Sequence, residues 1–168
     1  MRKIYIYVLA LFFLADVSVA KQKILTSEDL NCNKDDSYCE NLSGRPLTGK
    51  VSRRSEDGLT TENYKNGKLS GLTTVWDKNG KFVSKTYYKD GQKNGVERFY
   101  YENRTIKSSA EYKNGKLHGR VEYYTPKGKL KGRLNYKDGH FDKGYCVING
   151  QKSDIKTIGT SELISCGE

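Results

Sequence analysis

Histidine is nearly absent from this chain of 168 residues, with only His118 and His140 present. That removes the side chain most used as general base and metal ligand near neutral pH. No glycine-rich phosphate loop, nucleophile elbow or clustered metal-binding motif takes its place. Catalysis is therefore not expected, and no cofactor or metal is implied. Long apolar runs are missing beyond residue 15, which excludes the buried Val/Ile/Leu strands of a two-layer α/β enzyme. Hydrophobic residues make up only 35% of the chain, and that figure includes 13 tyrosines. So lean a composition does not build one deep core. It favours a shallow, repetitive or extended architecture.

The one apolar run, Ile4 to Ala15, follows Arg2 and Lys3 and precedes the small-residue site Ser18-Val19-Ala20. That is the layout of a secretory signal peptide. At twelve residues it is too short for a membrane span, which needs about 20. Residues 1–20 are read as a removable address, which makes the mature protein exported, periplasmic or secreted. Its loss takes away Arg2, Lys3 and Asp16 and lowers the net charge from +10 to +9. The four cysteines, Cys32, Cys39, Cys146 and Cys166, lie beyond it, an even number in a chain sent to an oxidising compartment. Of the three possible connectivities the local one is expected, Cys32 with Cys39 and Cys146 with Cys166, because each pair sits at one end of the chain. A structural zinc site is the weaker alternative, since no CxxC pair or clustered histidine accompanies them.

What the sequence has in abundance is repetition. Tyr64-Lys65-Asn66-Gly67, Tyr88-Lys89-Asp90-Gly91, Tyr112-Lys113-Asn114-Gly115 and Tyr136-Lys137-Asp138-Gly139 recur at an interval of 24 residues. A second glycine column follows at Gly71, Gly95 and Gly119, and drifts by one residue to Gly144. Asn-Gly at 66, 79, 94, 114 and 149 and Asp-Gly at 57, 90 and 138 are read as hairpin corners, because these dipeptides tolerate positive φ. Between corners the residues alternate. Phe82, Ser84, Thr86 and Tyr88 are expected on one face, like Ile106, Ser108, Ala110 and Tyr112, and Leu130, Gly132, Leu134 and Tyr136. The expected fold is all-β, an elongated meander of antiparallel β-hairpin repeats forming an open single sheet with disulfide-clipped ends. The expected organisation is a signal peptide (1–20), an N-terminal segment with a cysteine pair (21–41), a repeat domain (42–145) and a capping segment (146–168).

The Tyr-x-x-Gly-x-x-x-Gly units, as in residues 112–119, resemble MORN repeats, specifically the bacterial variant found in proteins labelled YwqK-family antitoxins. The resemblance covers about residues 42–145. It implies a β-hairpin array that binds or scaffolds, with no catalytic residues to carry over.

Three surface features remain. Trp76, Tyr100 and Tyr124 form one repeat column and Val75, Phe99 and Tyr123 its neighbour, so the two columns are expected on opposite faces. The first is a candidate binding surface for sugars, lipid headgroups or a partner protein; cross-strand packing of a thin sheet is its structural alternative. Lys129, Lys131 and Arg133 are expected to share an outward face that suits anionic lipid or envelope polymer, or that guards against edge pairing. Export removes nucleic acid as the partner of this charge. His118 shares a column with Ser70, Asn94 and Asp142, but column neighbours about 10 Å apart cannot hold one zinc. The primary expectation is an exported, non-catalytic scaffold for a partner protein. Binding of anionic surfaces and an exported immunity role are the alternatives.

Overall fold

A computed structural model describes residues 30–33 and 38–155. Each Tyr-x-x-Gly word makes one sharp reversal. Asn66, Asp90, Asn114 and Asp138 have φ near +50°, and the glycine after each lies between +78° and +89°. Two successive positive φ values are what a two-residue turn of the primed type requires, and its twist matches that of the strands it joins. The opposite end of each unit uses a second turn. In it, the Gly80 amide donates to the Asp77 carbonyl and the Asp77 amide to the Lys81 carbonyl, a pattern repeated at 101–105 and 125–129. Asp77 reinforces it by accepting from the Asn79 and Lys81 amides at 2.8 Å. At 41–45 and 101–105 the asparagine side chains of Asn41 and Asn103 serve the same purpose.

Among the described residues there are fourteen strands, twelve of which these turns string into one meander. A first hairpin is β1 (Leu30–Cys32) with β2 (Cys39–Asn41). The main sheet holds β3 (Gly49–Ser55), β4 (Gly58–Lys65), β5 (Lys68–Leu69), β6 (Gly71–Asp77), β7 (Phe82–Lys89), β8 (Gln92–Lys93) and β9 (Gly95–Tyr100). It continues through β10 (Ile106–Lys113), β11 (Lys116–Tyr124), β12 (Leu130–Lys137), β13 (His140–Ile148) and β14 (Gln151–Ile155). Leaving out β5 and β8, sequential strands pair antiparallel from β3 to β14. The short β5 and β8 pair with the same neighbours, β4 and β7, that β6 and β9 then continue along. The two end strands do not pair, so the sheet is open.

The regular reading of the turns needs three corrections, the first at Asp57-Gly58, where the turn residues are Glu56 and Asp57, neither with positive φ, and Gly58 already lies in β4. Asn94-Gly95 is no corner: it links β8 to β9 along one line, both pairing with β7. Asn79-Gly80 is a corner, but only Gly80 has positive φ, so its turn differs from those at the tyrosine words. The second glycine column explains itself here. Gly71, Gly95 and Gly119 have φ between +105° and +114°, and a Cβ on Gly95 would come within 3.2 Å of the Tyr87 Cβ on the facing strand.

The alternation also breaks in a regular way. Register shifts fall between Val75 and Trp76, between Ile106 and Ser108, and between Tyr123 and Tyr124. The residues left unpaired there are Val83, Lys107 and Lys131, a β-bulge at the same place in each of these units; further shifts fall between Ala110 and Tyr112 and between Asn135 and Tyr136. Because a one-residue slip turns a side chain to the other face, Phe82, Ile106 and Leu130 leave the face of Ser84, Ser108 and Gly132. They pair instead with Trp76, Tyr100 and Tyr124. The expected grouping of Phe82, Ile106 and Leu130 with the tyrosine words is therefore wrong.

The front face carries Val51, Glu62, Tyr64, Thr86, Glu97, Phe99, Ala110, Tyr112, Val121, Tyr123, Leu134 and Tyr136 in register. Over its first strands lies the β1–β2 hairpin, and there the main buried cluster forms: Cys39, Leu47, Val51 and Tyr64, with Leu30, Cys32 and Leu69 packed against it. Cys32 and Cys39 face each other across the hairpin and are disulfide-bonded, as the local pairing requires. Backbone bonds fix the hairpin to the array, Cys39 N–H to the Gly67 carbonyl at 2.7 Å and Leu47 N–H to the Cys39 carbonyl at 3.0 Å, and Gly67 N–H in turn donates to the Leu47 carbonyl at 2.7 Å. The same bond recurs in later units, where Gly91, Gly115 and Gly139 donate to Leu69, Lys93 and Leu117. The segment around Leu47 thus stands in for a preceding repeat. Cys146 is also disulfide-bonded; Cys166, expected as its partner, and the signal segment lie outside the described residues.

Candidate binding faces

On the back face the bulges assemble what alternation alone would not. Trp76 and Phe82 lie with ring centroids 5.9 Å apart, and Phe82 and Tyr100 4.7 Å apart, both tilted. Phe82 is thus the ring that joins two expected ladder residues, whereas alternation alone groups it with Ser84, Thr86 and Tyr88. Ile106 and Leu130 continue the line beside Tyr100 and Tyr124. Lys85 Nζ stands 6.0 Å from the Tyr100 ring. Trp76, Tyr100 and Tyr124 are all half-buried, a mean between core and fully free surface. Tyr124 donates its hydroxyl proton to Glu122 at 2.9 Å. At the start of the line Trp76 and Leu59, with Arg54, Glu56 and Lys78, line a pocket of about 350 Å³.

The basic residues are less uniform than the sequence suggested. Lys129 is an exposed turn residue and Lys131 sits at a bulge. Arg133 is committed to an ion pair, its guanidinium 2.7 Å from Glu122. Burial alone would raise the Glu122 pKa, but the hydrogen bond from Tyr124 and the Arg133 charge outweigh it and hold the carboxyl below its usual value. A second set was missed. Arg120, Asn135 and Lys143 form one cross-strand row on β11, β12 and β13. With Arg133, Tyr145 and Asp154 they line a shallow depression of about 420 Å³. Only register, which the sequence does not state, brings these residues together.

The front face offers a different cavity, about 270 Å³. Phe99, Tyr112, Tyr123 and Tyr136 stand around Ser108, Ala110 and Val121, with Leu117 and Glu97 at the margin. Phe99 is 41% exposed, whereas Glu97 is only 7% exposed. Glu97 accepts from Thr86 Oγ1 at 3.0 Å and pairs with Lys93 Nζ at 2.7 Å. A buried carboxylate needs such partners, since desolvation without them is costly. Burial works against the charged form of Lys93, but the bond to Glu97 more than offsets it and its pKa ends above that of a free lysine. Lys93 Nζ also lies 4.9 Å from the Tyr112 ring centroid. His118, the tempting column residue, pairs with Asp138 on the neighbouring turn at 3.1 Å.

Residues 93–114 and 117–138 match the MORN repeat variant family. Over these segments the chain is similar to MORN repeats. No curated protein matches the chain. The two matched segments contain every residue that lines the front cavity. The words at Tyr64 and Tyr88 stand in the same 24-residue register and make the same turns. A MORN unit is in general a binding or scaffold module, typically without catalysis.

Proposed function

We propose that this protein is an exported, non-catalytic MORN scaffold whose back face binds a partner protein of the cell envelope. The observation that carries the reading is the Trp76–Phe82–Tyr100 line, in which Phe82 packs against both other rings and all three are only half-buried. Large rings with adjacent cations supply much contact area at little entropic cost, which suits protein recognition. The basic amino-terminal run followed by a small-residue cleavage site supports export. The test is capture from envelope extract by the mature protein, with and without Trp76, Tyr100 and Tyr124 replaced by alanine. A specific partner lost on substitution supports the reading, and a partner indifferent to all three changes contradicts it.

A second reading, attachment to anionic lipid or envelope polymer, is favoured by the Arg120–Asn135–Lys143 row beside Arg133, with Lys129 and Lys131 nearby in sequence. Attachment of this kind weakens steeply with salt, because exposed charges are screened. Retention on anionic vesicles that does not change between low and high salt rejects it.

A further inference from the structure

Arg53 lies against the disulfide. Its Nη2 is 3.1 Å from Cys32 Sγ and 3.6 Å from Cys39 Sγ. The guanidinium is held in place from two other sides, by Glu62 at 2.8 Å from Nε and by the Tyr64 hydroxyl at 3.3 Å from Nη2. A disulfide is neutral and a weak acceptor, whereas a thiolate is a full anion. A fixed cation at this distance therefore stabilises the reduced pair more than the oxidised one. The two sulfurs also differ in access, since Cys39 is fully buried and Cys32 only half so.

We propose that the Cys32–Cys39 clip is a thiol–disulfide exchange site, opened by a dithiol reductant and tuned by Arg53, whose cleavage loosens the cap over the first repeat. One thiolate of the reductant attacks Cys32 Sγ. The bond between the two cysteine sulfurs breaks, and Cys39 leaves as a thiolate beside the guanidinium. The second thiol of the reductant gives its proton to solvent and attacks its own sulfur in the mixed disulfide, so that Cys32 leaves as the second thiolate. Two electrons pass to the cysteine pair, and the dithiol becomes a disulfide. What remains of the hairpin is three residues per strand, and a two-stranded ribbon of that size is marginal in water. Cys39 is also one wall of the cluster with Leu47, Val51 and Tyr64, so release of the clip is felt by the array.

The experiment equilibrates the full chain across ratios of reduced to oxidised dithiothreitol, traps thiols by alkylation and reads each cysteine by mass. Arg53→Gln is expected to need about tenfold more reduced dithiol to open half of the clip, about 30 mV for a two-electron couple. Glu62→Gln, which leaves the Arg53 charge less compensated, is expected to shift the midpoint the opposite way, and the disulfide at Cys146 should not move. A variant that merely loosened the fold would make the clip easier to open in both cases. Opening should also raise hydrogen exchange at the Cys39 amide at least about tenfold and leave the Gly115 amide unchanged. An Arg53→Gln midpoint equal to the parent's or easier overturns the proposal. So do shifts of the same sign in both variants, or a Cys39 amide indifferent to opening.

Discussion

Tyr64 and Tyr112 hold the same place in their repeats, yet their surroundings diverge. Tyr64 is 3% exposed beneath the β1–β2 hairpin, while Tyr112 borders the front cavity. Each sits with one carboxylate and one cation, Glu62 and Arg53 in the first case, Glu97 and Lys93 in the second. The partners come from different columns, so the repeat does not dictate them. A tyrosine on a thin sheet gathers a polar pair wherever one is in reach, and a second layer decides how far it is buried. Burial first, and the Glu62 charge second, push the Tyr64 phenol up to about 12 against the opposing pull of Arg53. Tyr112 is raised as well, by burial and then by Glu97. Arginine, with its planar fork, reaches Glu62, Tyr64 and the disulfide together; the lysine of the open unit is a point charge.

The largest way to break this comparison is at the residue that accepts the turn-glycine amide. Leu47, 2% exposed under the hairpin, is expected to cost about 3 kcal/mol when changed to alanine, as buried leucines do. Leu117 accepts the equivalent bond from Gly139 but is half-exposed, and Leu117→Ala is expected to cost about 1 kcal/mol. Urea denaturation of both variants decides it, and equal losses would mean that cover makes no difference. Next is Tyr64→Phe, which removes a hydroxyl bonded to Arg53 and Glu62 and should cost about 1 kcal/mol, against less than about half that for Tyr112→Phe.

The alkaline limb sharpens the same contrast. The folded Tyr64 phenol at about 12 lies above its ordinary value of 10.0. Its contribution is fully present below pH 10 and is lost as pH rises from 10 towards 12, because the unfolded chain ionises first. Denaturation midpoints across that window should fall in the parent and fall less steeply in Tyr64→Phe; parallel curves would show that Tyr64 is not the group responsible. The smallest effect is at a turn. Arg104 adopts φ +66° where the neighbouring units have Gly80 and Gly128, so Arg104→Gly should stabilise by about 0.5 to 1 kcal/mol in thermal unfolding.

The period, the primed turns and the open all-β meander could be read from the tyrosine words, because Asn-Gly and Asp-Gly encode a backbone conformation directly. The opposition of Tyr100 to Phe99 followed from alternation alone. The bulges at Val83, Lys107 and Lys131 were not legible, since nothing in Phe82-Val83-Ser84 says which residue goes unpaired, and that hid Phe82 from the aromatic line. Arg53 could not be linked to Cys32, 21 residues away, without the fold of the hairpin over the sheet. Glu97 and Lys93 are close in sequence, but their burial depends on β9 lying beside β7 and β10.

The most direct test of the binding reading uses two consecutive residues that point to opposite faces. A photo-crosslinking amino acid is placed at Tyr100 in one protein and at Phe99 in another, and each is irradiated with envelope extract. The expected result is a discrete crosslinked partner from position 100 and none from position 99. A partner captured from position 99 alone would move the interface to the front cavity and contradict the account.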